Sequence, residues 1–201
     1  MQKFYDDISG YIEMHNGKRR IRIHQMVHLG PESYYNRKRR FFLRERMQGF
    51  QHYTEGMKNM PKGKGPNRAY QGVADLLGVM VQPMDWGFPT LRVDVDYNDA
   101  NAWEKFQYRS MAKVIRMSMK LISKASPEKV WENMEQVLRD AVESEEPKKS
   151  FFDAKIISEN RERLVIDAVL ASDGDCSLVW GGAHKHAFVK AFEAAGFVLT
   201  E

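Results

Sequence analysis

Three residues of this sequence could share one chemical site: His28, Glu55 and His184, each placed where a short apolar run ends. Each is predicted at the C-terminal end of a β-strand, and in open α/β sheets that edge meets ligands, beside helix N-termini. Two neutral imidazoles and a carboxylate form a recurring divalent-metal set. Such a set leaves coordination positions open, so that a bound water is activated or a carbonyl polarised. Residue type alone does not single these three out, because the chain carries six His; a structural polar cluster under the sheet edge is the competing reading. Of the other histidines, His24 reads as a strand-face residue and His15 as part of the Asn16-Gly17 turn. His52 reads as structural or exposed, and His186 as lying at the start of the last helix.

The elements that must position these residues follow from periodicity and punctuation. Residues 10–28 read as a hairpin: Ile12 and Met14 alternate with polar neighbours, Asn16-Gly17 supplies the turn, and Ile21 and Ile23 resume the alternation. Leu29-Gly30 ends that run and Pro31-Glu32-Ser33 opens a helix to about Met47. A short strand over 50–55, a loop over 58–67, a helix over 68–77 and a strand over 79–82 follow. No firm element is predicted over 83–97. A helix over about 98–124 carries Trp103, Phe106, Val114, Met117 and Leu121 on one face, and core packing is the simpler account of Trp103. Ser126-Pro127-Glu128 starts a second helix, with Val130, Met134, Val137, Leu138 and Ala141 on one face. A polar hinge over 143–150 and a helix over about 153–172 come next. The end reads as a βαβ-like unit: buried strand 176–180, turn Gly181-Gly182-Ala183-His184, a helix with Phe188, Ala191, Phe192 and Ala195 facing inward, and a last strand over 197–199.

The chain has 201 residues and one Cys, without any apolar run of ~18 residues, so a transmembrane span is not expected. Its first twenty residues lack the apolar core of a secretory signal, and the expected location is the cytoplasm. Cys176 alone makes neither an intrachain disulfide nor a Cys-based zinc site, so any metal would rest on His and carboxylate. Charge is uneven: residues 1–66 hold 14 Lys or Arg against six Asp or Glu, residues 67–201 hold 17 against 21, and the net is +4. Arg37-Lys38-Arg39-Arg40, Arg44 and Arg46 are the densest basic run, and a solvated helix face is the favoured account of it. Nucleic acid is not an expected partner.

The ordered segments resemble the TraB/PrgY/GumN and Tiki proteins, within the EreA/ChaN-like α/β superfamily. That group carries a Gly-x-x-His motif at a strand end before paired aromatics, then a strand ending in Glu-Gly, and late in the chain a second Gly-x-x-His. Here these read Gln25-Met26-Val27-His28 with Tyr34-Tyr35, Tyr53-Thr54-Glu55-Gly56, and Gly181-Gly182-Ala183-His184 running on to Ala195-Gly196-Phe197. Leu77-Gly78-Val79-Met80-Val81-Gln82 and Val93-Asp94 are similar to the group's middle segments. Gln25 stands where the group has Gly, and Glu159-Asn160-Arg161 where it has Arg-Asn.

The resemblance implies a single domain over 1–201, α/β with a central mixed sheet, flanking helices and a helical middle segment at about 98–146. It also implies a divalent-metal-dependent hydrolase, peptidase-like, acting on a peptide or small ester or amide. His28, His184 and Glu55 would hold manganese or cobalt, or else zinc, with Asp94 as a further ligand or as a partner that fixes an imidazole tautomer. Glu55 would assist the metal-bound water, and Arg161 would meet a developing oxyanion. Trp86 and Phe88, flanked by prolines, are the expected substrate-facing aromatics, with Gln25 beside them; the stretch 83–103 reads as a lid or an assembly surface. The alternative is a catalytically inactive module that sequesters a peptide or other ligand in the same cleft.

Overall fold

A computed structural model describes residues 2–61, 67–122, 124–143 and 159–200. Most of the polar stretch expected over 143–150, the start of the helix expected at 153, and residues 62–66 of the expected loop lie outside these. So do the side chains of Val137, Leu138 and Ala141.

The hairpin forms as its sequence dictates. β1 (Ile12–His15) pairs antiparallel with β2 (Arg20–Met26) in the register Ile12↔Ile23 and Met14↔Ile21. Asn16 Oδ1 accepts the backbone N–H groups of Lys18 and Arg19, and Gly17 takes φ +78°, a conformation open to glycine at little cost. Leu29–Gly30 forms a two-residue strand, β3, instead of only breaking β2. It pairs with β5 (Met80–Val81) in a small second sheet. Helix α2 spans Glu32–Met47, β4 Gln51–Thr54 and α3 Asn67–Leu77. A short first helix, α1 (Gln2–Asp7), and a two-residue strand, β6 (Leu91–Arg92), are elements the sequence reading lacked. Then come α4 (Ala102–Ile122), α5 (Pro127–Glu143), α6 (Glu159–Leu170), β7 (Cys176–Gly181), a 3-10 turn (Gly182–His184), α7 (Lys185–Ala194) and β8 (Val198–Leu199).

The main sheet has six strands in the order β6-β4-β7-β2-β1-β8. β6, β4, β7 and β2 are mutually parallel, while β1 is antiparallel to both β2 and β8. The protein is therefore α/β, with a mixed sheet between helices. On one face Met14, Ile21, Ile23, Leu178 and Trp180 pack against Val165 and Val169 of α6 and Phe188 and Phe192 of α7. On the other, Met26 and Val179 pack against Phe4, Tyr5 and Ile8 near the start and Tyr34, Tyr35 and Phe42 of α2. A third cluster joins Leu29 to Val73, Ala74 and Leu77 of α3 and Val130 of α5, with Met119 and Ile122 of α4 against it.

Three side-chain placements differ from the sequence reading. Trp86 is buried in the α2-side core against Phe42 and Tyr35, so core packing claims it, while Phe88, the other aromatic expected at a substrate, is half-buried and packs on Phe42 and His52. Lys38, read as part of a solvated basic face, is fully buried, and its Nζ donates to the carbonyl of Gly10 at 2.7 Å. Burial lowers its ammonium pKa to about 7 despite Glu45. The stripe from Trp103 to Leu121 faces away from the core and is exposed.

Candidate functional site at the carboxyl edge of the sheet

Because β2, β7, β4 and β6 run in parallel, the segments that follow them leave the same edge of the sheet. His28 comes two residues after β2, Glu55 immediately after β4, Asp94 two after β6, and His184 closes the 3-10 turn after β7. The sequence placed three of these at strand ends; the parallel pairing adds the common edge.

The backbone around His28 is clamped by buried tyrosines. Tyr34 Oη donates to the carbonyl of Gln25 (2.7 Å), Tyr35 Oη to that of Val27 (2.9 Å) and Tyr5 Oη to that of Leu29 (3.0 Å). The carbonyl of His28 itself accepts the Gln82 N–H at 2.8 Å. Four of the five carbonyls from Gln25 to Leu29 thus have a partner across the break between β2 and β3, which fixes where the imidazole begins. Its ring stacks on Tyr70 at 5.1 Å between centroids. The expected role of Gln25 rests on its side chain, whereas its carbonyl serves the clamp.

Glu55 is held on both oxygens: Oε2 accepts the Gly181 N–H at 3.0 Å and Oε1 accepts Arg161 Nη2 at 2.8 Å. A Cβ on Gly181 would lie 3.3 Å from Oε2, so any larger residue there would press the carboxylate back by a few tenths of an ångström. Burial pushes the Glu55 carboxyl up, but Arg161, then His184 and His28, hold it down at about 2. Asp94 is engaged in the same way. Its carboxylate accepts Arg161 Nε at 2.8 Å and Nη2 at 2.7 Å, and also the N–H groups of Gly56 (2.8 Å) and Val95 (2.7 Å). Arg161, brought in by α6 and lying over the Trp180 ring, has its pKa raised because Asp94 and Glu55 outweigh its burial. Expected to meet an oxyanion, it instead bridges two carboxylates.

His184 has a partner the sequence reading missed. Its Nδ1 lies 2.6 Å from Glu162 Oε1, and an ionised carboxylate only accepts, so Nδ1 carries the hydrogen and Nε2 the lone pair in the neutral ring. Trp180 packs edge-on against this ring at 5.4 Å. Glu162 was legible only as the neighbour of Arg161 on a helix; nothing in the sequence ties it to His184.

As placed, these donors do not fit a divalent ion. Arg161 and backbone amides take up the oxygens of Glu55 and Asp94 that such an ion would need, and among the described residues no three His, Cys, Asp or Glu are grouped to hold one. Beneath the sheet lies a separate polar cluster. Glu45 of α2 accepts from His24 Nε2 (2.9 Å) and Ser177 Oγ (2.9 Å), with His52 Nε2 at 3.3 Å and Arg22 Nη1 at 3.4 Å. His24 thus lies on a strand face, as expected, and His52 is buried. No protein-family model, curated protein or solved structure matches the chain.

Proposed function

We propose that the chain is a hydrolase for a peptide or small ester or amide, the substrate class that the resemblance to the TraB/PrgY/GumN and Tiki proteins implies, but one that works through a histidine base in place of the divalent metal which that resemblance implies. The observation that carries this reading is the His184–Glu162 pair beside Glu55 at the carboxyl edge of the parallel strands. In the scheme, His184 Nε2 takes a proton from an attacking water, while Glu162 fixes the tautomer and supports the imidazolium that forms. The same proton passes to the leaving amine or alkoxide. His28 faces the developing oxyanion, since Arg161 is engaged by Asp94 and Glu55. No step runs through a metal.

The test is turnover of a panel of nitrophenyl esters and amides and short peptides, before and after chelation with EDTA. Activity is expected to survive chelation and to fall about 10²–10⁴-fold in His184→Ala, with a smaller loss in Glu162→Gln. Loss of activity on chelation, restored by manganese or cobalt, would instead favour the metal-dependent scheme. A second reading, a module that sequesters a ligand without turning it over, draws on the closed Glu55–Arg161–Asp94 network. It predicts no turnover in wild type and saturable peptide binding weakened by His28→Ala.

A further inference from the structure

Helix α4 is apolar on two sides. On its inner side Tyr108 and Ala112 are buried, and Met119 and Ile122 pack against the third core cluster. Its outer side carries a second stripe that this core does not use: Trp103 (64% exposed), Phe106 (58%), Val114 (44%), Met117 (58%) and Leu121 (69%). These positions recur at 3.6-residue spacing and form a straight ridge about 27 Å long. At its first end the rings of Trp103 and Phe106 stack at 5.4 Å. Ser110 lies between the Trp103–Phe106 pair and the Val114, Met117 and Leu121 group on this face, and exposed apolar side chains aligned on one helix face in this way mark an interaction surface.

The charges say what covers it. At 100° per residue Lys105, Arg109, Lys113, Arg116 and Lys120 fall in one row along a single flank of the stripe. The one acid of the helix, Glu104, accepts the backbone N–H of Asn101 at the helix start. Two copies paired antiparallel through the stripe would set their cation rows side by side. An anionic surface is favoured over a second copy, and a convex single-helix ridge suits a plane better than a groove. We propose that α4 docks the protein on an anionic lipid surface. The helix lies in the headgroup boundary with Trp103, Phe106, Met117 and Leu121 inserted and Lys113 against lipid phosphates, while Lys105 and Arg109, which donate to the Asn98 carbonyl and the Tyr97 hydroxyl, add positive charge to the same flank. This is a peripheral contact, independent of the hydrolase reading; among the described residues no helix is long and apolar enough to cross a membrane.

The experiment is flotation of the full chain with phosphatidylcholine vesicles, with and without phosphatidylglycerol, at low and high salt, followed also by tryptophan emission. Binding is expected only to the phosphatidylglycerol vesicles, weakened by salt, with a blue shift. Trp103→Ser combined with Phe106→Ser should lower partitioning at least tenfold at unchanged far-UV circular dichroism. Lys113→Glu, which alters charge without touching the stripe, should lower it too. Absence of binding to anionic vesicles overturns the proposal, as does equal binding by the double-serine variant. So does a concentration-dependent dimer in gel filtration that the same double variant abolishes, for then a second copy covers the stripe.

Discussion

Arg161 neutralises two carboxylates, and the Asp94 side chain is fully buried. Arg161→Ala would leave both unpaired, and removing one partner of a buried ion pair costs about 3–5 kcal/mol; urea unfolding should show a loss of that order. Arg161→Lys should recover little of it, since an ammonium cannot fork between Asp94 and Glu55. His24 sets a pH dependence. Burial lowers its pKa to about 4 although Glu45 pulls the other way. The unfolded chain therefore binds the extra proton first, and stability is expected to fall by up to about 3 kcal/mol as pH drops from about 6.5 to about 4. Denaturation midpoints across that window check it. His28, Glu55 and His184 were legible as residues at strand ends. The partners of Glu55, of His184 and of His24 were not, because Arg161, Glu162 and Glu45 come from helices whose rotation about their axes local sequence does not fix. Glu45 sits among arginines in a run that reads as a solvated face.

At the scale of elements, periodicity was a good guide where one face is polar and a poor one where both faces are apolar. The hairpin, α2, α7 and the strand at β7 could be read because alternation, turn residues and glycines agreed on them. α4 could not be oriented: its two apolar stripes compete for the core, and the one with Tyr108, Ala112 and Met119 won. β6, two residues long, gives no periodic signal at all. Trp86, bracketed by prolines with Phe88, entered the core by tertiary packing on α2, and Phe88 packs half-buried beside it. Two glycines test element ends. Gly17→Ala should cost about 1 kcal/mol in unfolding experiments, from its positive φ alone, because the space around it is open. Gly181→Ala has φ −52° and no such strain, yet its methyl would press on Glu55 Oε2 and approach His184 Cδ2. It is expected to lower turnover or ligand affinity while shifting Tm little, which thermal melts and kinetics on the same preparation separate.

For the whole molecule, the α/β class and the parallel heart of the sheet bring residues 28, 55, 94, 161 and 184 within reach of one edge, although they span most of the chain. Local propensity gives strand ends; the strand order, which decides that the ends meet, comes from long-range pairing alone. That order has β7 at the centre, between β4 and β2, although β7 follows both by more than a hundred residues. A chain cut at 172 keeps β2 and β4 with nothing between them, and such a fragment should show no cooperative unfolding and little chemical-shift dispersion. In the order of synthesis the keystone arrives after the arch: while the ribosome makes residues 55–175, two strands wait with unpaired edges, open to the wrong neighbour. The nascent chain is therefore a natural client for a chaperone, and its yield in a cell should depend on translation speed and temperature more than the stability of the finished fold suggests.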